Sequence, residues 1–189
     1  SGGTGSCDVN EAYTISLEQG LQNAGYEVSA LGRSFFDEHK IVHAEKYVKT
    51  EGLASMMSPY YPPEMEYTDD QLSQLAQESD LAVLTIGRNS GEGGDRLEKD
   101  DFLLTEQEQD MLKRASAFFH QVNKQLDVVL NIGGVVETRS WISNADAVVL
   151  AWQGGQESGN AVADVLSGAV NPSGKLPLTI ARNVGQLRM

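Results

Sequence analysis

Three short apolar runs constrain what this chain can fold into. Leu81-Ala82-Val83-Leu84-Thr85-Ile86-Gly87, Asp127–Ile132 and Asp146–Trp152 are too continuously apolar for strands with one wet face. They read as strands covered on both faces, the pattern of a parallel sheet. Helical segments lie between them. Thr68 or Asp69 caps a helix through Glu78, with Leu72, Leu75 and Ala76 on one face. Thr105 and Glu108 form a capping box that opens a helix to about Asn123. Further helices are expected over Val9–Ala24, stopped by Gly25, from Ser34 to about Gly52, near Val135–Ile142 and over Glu157–Leu166. Tyr26–Leu31 reads as a short strand and Leu176–Ile180 as an edge segment, while the prolines of Ser58–Pro63 require a loop. Strand and helix in alternation argue for an α/β three-layer sandwich, a mostly parallel sheet flanked by helices. The 189 residues form a single domain, 1–189.

Charge narrows the partners. Fourteen Lys+Arg against 27 Asp+Glu give a formal net charge of −13, and no compact basic cluster offsets it. Such a surface repels nucleic-acid phosphates and anionic lipid, so neither nucleic acid nor a membrane is an expected partner. No apolar run reaches the ~18–20 residues that cross a bilayer, and no basic segment followed by an apolar core marks a signal peptide. The single Cys7 can form neither an internal disulfide nor a metal-ligand pair, which leans toward a cytoplasmic rather than a secreted compartment.

Ligands of open α/β sheets gather outside the carboxyl ends of the strands, so the segment after the strongest run is the first place to look. There stands Gly87-Arg88-Asn89-Ser90-Gly91-Glu92-Gly93-Gly94-Asp95-Arg96. Glycines free the backbone to approach a ligand closely, and Glu92 among them is placed as a proton donor or acceptor. A solvated acidic loop with Arg88, Asp95 and Arg96 as a surface ion-pair cluster is the plainer alternative. The glycines do not complete a dinucleotide fingerprint or a phosphate loop, and no nucleophile elbow follows a strand. The opening Ser1–Ser6 run suits a phosphate cradle of a flavodoxin-like domain or, more simply, a turn. His39 and His43 are i, i+4 neighbours, but no third metal ligand is suggested, and a solvated helix face is the better reading. Trp141 and Trp152 read as packing residues.

Several of these segments together resemble one family. Gly91-Glu92-Gly93-Gly94-Asp95-Arg96 is similar to the Glu-Gly-x-Asp-Arg motif in the second domain of family 3 glycoside hydrolases, the bacterial and fungal β-glucosidase group. Leu103–Glu108 resembles that domain's next helix start, and Val128–Gly134 its next strand and turn. Ala151-Trp152-Gln153-Gly154-Gly155-Gln156-Glu157-Ser158-Gly159 resembles its Trp-x-x-Gly-Gln-Glu-x-Gly segment. Asn171-Pro172-Ser173-Gly174-Lys175-Leu176-Pro177-Leu178-Thr179 resembles its closing motif, and Ser6–Asn10 its first loop. The likeness runs in order along nearly the whole chain.

The resemblance implies a retaining β-glycosidase, a β-glucosidase by its motif form, in which Glu92 is the general acid/base and an aspartate nucleophile comes from a separate (β/α) barrel. Arg88, Asp95 and Arg96 then shape the loop. The substrate is a carbohydrate, the partner is the barrel domain of the same parent protein, and neither metal nor cofactor is needed, because two carboxylates and water suffice. The barrel and the strand expected before Ser1 are absent from these residues, so the chain alone is expected not to hydrolyse glycosides. A non-catalytic carbohydrate-binding module and a flavodoxin-like small-molecule binder are the alternatives.

Overall fold

The computed structural model describes residues 12–48, 64–88 and 96–180. At its centre lie three parallel strands, β1 (Leu81–Arg88), β2 (Gln125–Ile132) and β3 (Ala147–Leu150), in the order β1-β2-β3. Leu81 pairs with Gln125 and Arg88 with Ile132, while Asp127 pairs with Ala147 and Leu130 with Leu150. The carboxyl ends of all three strands therefore share one end of the sheet. Helices α1 (Leu17–Asn23), α2 (Ala30–Val42), α3 (Asp69–Glu78), α4 (Glu106–Gln121) and α5 (Ser158–Leu166) flank it. The expected α/β class, helices around a parallel sheet, is the one the chain adopts.

The pleat explains the core. Alternate residues of β2, namely Leu126, Val128, Leu130 and Ile132, are buried on the face covered by Leu72 of α3 and by Leu112 and Ala115 of α4. Val129 points the other way and is buried as well, so this strand is covered on both faces. Each such side chain contributes about 1.5–3 kcal/mol through the apolar surface it removes from water. Trp141 is wholly enclosed and its indole N–H donates to the Glu137 carbonyl, so it is a packing residue with its one polar atom satisfied.

Three helices begin with reciprocal caps. Ser16, Thr68 and Thr105 each accept from the backbone N–H three residues on, and Gln19, Gln71 and Glu108 each reach back to the cap backbone. Other expectations give way to tertiary contacts. The first helix starts only at Leu17, because Ile15 instead donates to the Gln156 carbonyl. Tyr26–Ser29 joins no strand among the described residues, and the Ser29 hydroxyl caps α2 by accepting from Gly32 N–H. Val135–Ile142 does not become a helix. The Glu137 N–H donates to the Phe102 carbonyl at 2.7 Å, and only a 3-10 turn forms, over Ile142–Asn144. Leu176–Ile180 forms no strand pairing among the described residues. The third strand stops at Leu150, since Trp152 turns to φ 54°. Cys7 and the Ser1–Ser6 run lie outside the described residues. Among the described residues no helix is long and apolar enough to cross a membrane.

Helices α1 and α5 meet at two glycines. A Cβ on Gly20 would stand 2.0 Å from the Gly159 carbonyl oxygen, and one on Gly159 would stand 2.1 Å from the Ser16 oxygen. Both obstacles are backbone and cannot swing aside. Replacing a helical glycine by alanine ordinarily stabilises by up to about 1 kcal/mol. Gly159→Ala is expected to do the opposite, costing about 1–3 kcal/mol in urea unfolding through overpacking. A neutral or stabilised variant would show that the two helices can separate without loss.

At the amino ends of the strands, His120 Nε2 lies 2.8 Å from Asp146 Oδ2, which also accepts from the Leu126 N–H at 2.8 Å. The His120 hydrogen bond, and after it the Leu126 N–H, hold the Asp146 carboxyl below the usual carboxylate range. The folded protein thus takes up this proton at lower pH than the unfolded chain does. The resulting stabilisation is present above the ordinary aspartate value, about pH 4, and is lost as pH falls through the lowered folded value. Urea midpoints followed from about pH 6 to about pH 3 are expected to fall less steeply for Asp146→Asn than for the unaltered chain. Parallel curves would rule out this contribution.

Candidate active site

The carboxyl end of β1 is closed by an arginine. Arg88 donates from Nη1 and Nη2 to the two Glu108 carboxylate oxygens at 2.6 and 2.7 Å, and from Nε to the Asp101 carbonyl at 3.1 Å. Both partners are nearly buried, with side chains 11% and 10% exposed. Two parallel bonds between planar groups give a direction as well as an attraction, which an ammonium cannot supply. Glu108 is also the third residue of α4 and accepts from the Thr105 N–H at 2.8 Å. One carboxylate therefore caps the helix and holds the strand end.

Arg96 is fastened just as firmly. Its Nε donates to both Asp101 carboxylate oxygens at 3.1 Å, its Nη2 to Oδ1 at 2.6 Å, and its Nη1 to the Val135 carbonyl. The guanidinium lies directly over Gly134, where a Cβ would come within 2.6 Å of Nη1. A glycine is required there by close approach rather than by backbone angle. Burial raises the Asp101 carboxyl, but the Arg96 hydrogen bonds outweigh it and leave the group below its usual range. Asp101 itself follows Asp100, which stands at φ 61° in the left-handed region that aspartate tolerates.

Arg88 and Arg96 thus stand on either side of residues 89–95, and both are tied to Asp101, one to its carbonyl and one to its carboxylate. Glu92 and Asp95 lie outside the described residues. Among the described residues, the carboxylate partner of Arg88 is Glu108, 20 residues on, and that of Arg96 is Asp101, five residues on. The Glu108 pairing has no local signal, and its capping-box role had already accounted for that residue.

Two further features occupy this end of the sheet. Glu64 approaches the ion pair: partial burial chiefly, with the Glu108 charge added, raises its carboxyl, and Arg88 opposes the rise. Beyond β3, Glu157 accepts from the Tyr13 hydroxyl and from Asn160 Nδ2, both at 2.6 Å, and Asn23 donates to the Asn160 Oδ1 at 2.9 Å. The Tyr13 hydrogen bond, and then that of Asn160, keep the Glu157 carboxyl below its usual range. These contacts bind the Trp152–Gly159 segment to residues 13–23. Trp152 packs against the core cluster. Among the described residues no group of three His, Cys, Asp or Glu side chains is arranged to hold a metal ion.

The profile of the "Glycosyl hydrolase family 3 C-terminal domain" matches residues 1–189. Beta-glucosidase A of Butyrivibrio fibrisolvens is 34% identical over 208 aligned residues, covering 95% of this chain and 23% of that protein. A beta-glucosidase of Ruminococcus albus is 33% identical, covering 96% of this chain and 19% of its own length. Among solved structures, beta-glucosidase 3B of Thermotoga neapolitana in complex with α-D-glucose superposes with a TM-score of 0.84 at 36% identity, over 98% of this chain and 26% of that one. A beta-glucosidase of Paenibacillus barengoltzii gives 0.81 at 33% identity, over 97% and 20%. The chain spans about a quarter or less of these relatives.

Removing one member of a nearly buried ion pair leaves the other uncompensated. Arg88→Ala is expected to destabilise the chain by about 3 kcal/mol or somewhat more, and Arg88→Lys by less, measured as the shift in urea midpoint. A loss under about 1 kcal/mol, the range of an exposed pair, would mean that Glu108 is adequately solvated without Arg88.

Proposed function

The chain belongs to glycoside hydrolase family 3, as the C-terminal domain of that family, and on this premise we propose that it is the acid/base-bearing domain of a retaining β-glucosidase. Glu92 is the general acid/base, and the nucleophilic aspartate comes from a (β/α) barrel elsewhere in the parent protein. The observation that carries this reading is that residues 89–95, with Glu92 among them, follow the carboxyl end of β1 in the chain, between Arg88 and Arg96, both fastened to Asp101. In a parallel sheet that end is where ligands bind.

The chemistry follows from the geometry of a retaining reaction. Two carboxyl groups stand about 5–5.5 Å apart across the scissile bond. Glu92, protonated, donates to the departing glycosidic oxygen while the partner carboxylate attacks the anomeric carbon and forms the glycosyl-enzyme. Glu92, now ionised, takes a proton from water as water releases the sugar. Arg88, Asp95 and Arg96 shape the loop and do not touch the reacting atoms. The isolated chain lacks the nucleophile and is expected to give no turnover.

In the full-length protein, Glu92→Ala is expected to lower kcat/KM by about 10²–10⁴ on aryl β-glucosides with poor leaving groups, and far less on those with good ones. Azide is expected to restore turnover of activated substrates and to yield the β-glycosyl azide. Kinetics equal to the unaltered enzyme on poor leaving groups would remove Glu92 from the reaction.

A further inference from the structure

The sequence around Glu92 gives it little local restraint. Residues 89–95 read Asn89-Ser90-Gly91-Glu92-Gly93-Gly94-Asp95, and glycine fills three of the seven positions. Glycine leaves the backbone its widest choice of conformations, so ordering such a run costs more entropy than ordering most others. Yet a reacting group displaced by about 1 Å can lose about 10²-fold in rate. Restraint therefore has to enter from the two ends, Arg88 and Arg96.

Both ends lead to one residue. The Asp101 carbonyl accepts from Arg88 Nε at 3.1 Å, and its carboxylate accepts from Arg96 Nη2 at 2.6 Å and Nε at 3.1 Å. Asp101 Oδ2 also accepts from the Leu97 N–H at 3.2 Å, so it holds the backbone just past Arg96 as well as the guanidinium. Asp101 is fixed from behind in turn. Asp100, at φ 61°, bends the chain back, and the Phe102 N–H donates to the Leu97 carbonyl at 3.0 Å. Phe102 is buried, and its own carbonyl accepts from the Glu137 N–H at 2.7 Å. Glu108 also holds Arg88, and the Val135 carbonyl also holds Arg96, but each of these contacts reaches one end only. Among the described residues, Asp101 is where the two ends meet. Burial works against its ionisation, but the Arg96 hydrogen bonds outweigh burial, so the carboxylate remains an acceptor wherever an ordinary carboxyl is ionised.

We propose that Asp101 is the positioning residue of the acid/base: by holding Arg88 and Arg96 together it sets where Glu92 is presented, without touching the reacting atoms. The proposal rests on the Glu92 reading and deepens it. Its test uses the full-length protein and two aryl β-glucosides. A 2,4-dinitrophenyl group departs without a proton, whereas a phenyl group needs one, so only the second substrate reads the placement of the proton donor. Asp101→Ala is expected to lower kcat/KM about 10-fold to 10²-fold on the phenyl glucoside and less than about twofold on the dinitrophenyl one. Asp101→Asn keeps one oxygen for Leu97 and Arg96; it is expected to show the same selectivity with a smaller loss, and it serves if the alanine variant does not fold. An equal fall on both substrates would mean that Asp101 serves the fold alone, and no fall on either would mean that it is dispensable. Each of these results overturns the proposal. Glu92→Ala measured alongside separates the two claims. A loss on the phenyl glucoside for Glu92→Ala, with none for the Asp101 variants, removes only the positioning role. No loss for Glu92→Ala removes the acid/base assignment itself.

Discussion

The pairing of Arg88 with Glu108 is the constraint on which the working end of this domain depends. A parallel strand must be followed by a crossover, and here the crossover leaves β1 and returns through α4. Nothing in the backbone ladder decides how far that excursion strays from the sheet. The bidentate pair decides it by joining the last residue of β1 to the first turn of α4 with two bonds of 2.6 and 2.7 Å. Since the same carboxylate completes the Thr105 capping box, strand end, helix start and charge compensation are one unit. Its interior position makes it more a device of geometry than a source of net stability, because desolvating both ions consumes much of their attraction.

Around that unit, carboxyl groups of the same type are driven in opposite directions by their neighbours. Asp101 is held low by Arg96 despite burial, whereas Glu64 is raised by burial and by the charge of Glu108. Separation of this kind is how one small region holds an ionised structural carboxylate beside one that keeps its proton more readily. Arg88 and Arg96, which flank residues 89–95 in the chain, are each paired with a carboxylate, Glu108 and Asp101, so their charges are compensated where they stand.

Much of this arrangement is legible in the sequence, and for identifiable reasons. Helix starts are visible because Thr68 and Thr105 satisfy backbone donors three residues away, an interaction local enough to be encoded in a tetrapeptide. The strands are visible because β1 and β2 are nearly continuous apolar runs. Elements that depend on distant partners are not. Ile15 gives its N–H to Gln156, which delays α1, and Glu137 gives its N–H to Phe102, which denies Val135–Ile142 a helix. Tyr26–Ser29 has strand composition but no pairing partner among the described residues. Glu92 stands out in the sequence through its glycines and the motif around it, and it lies outside the described residues. The partners of Arg88 and Arg96 are less legible, because an ion pair across 20 residues leaves no periodicity to detect.

The contact between α1 and α5 has a consequence for how the molecule comes into being. The earliest described helix is seated on the last one, with Tyr26 reaching a carbonyl 140 residues further along the chain. During synthesis, the Gly20 face of α1 stays uncovered until α5 has emerged, because among the described residues its close backbone approach is to Gly159. Closure of this pair is then a late, long-range event, with a loop of that length to be brought together first. A chain cut short before Ser158 would keep the residues of all three strands yet leave α1 without the surface on which it is seated.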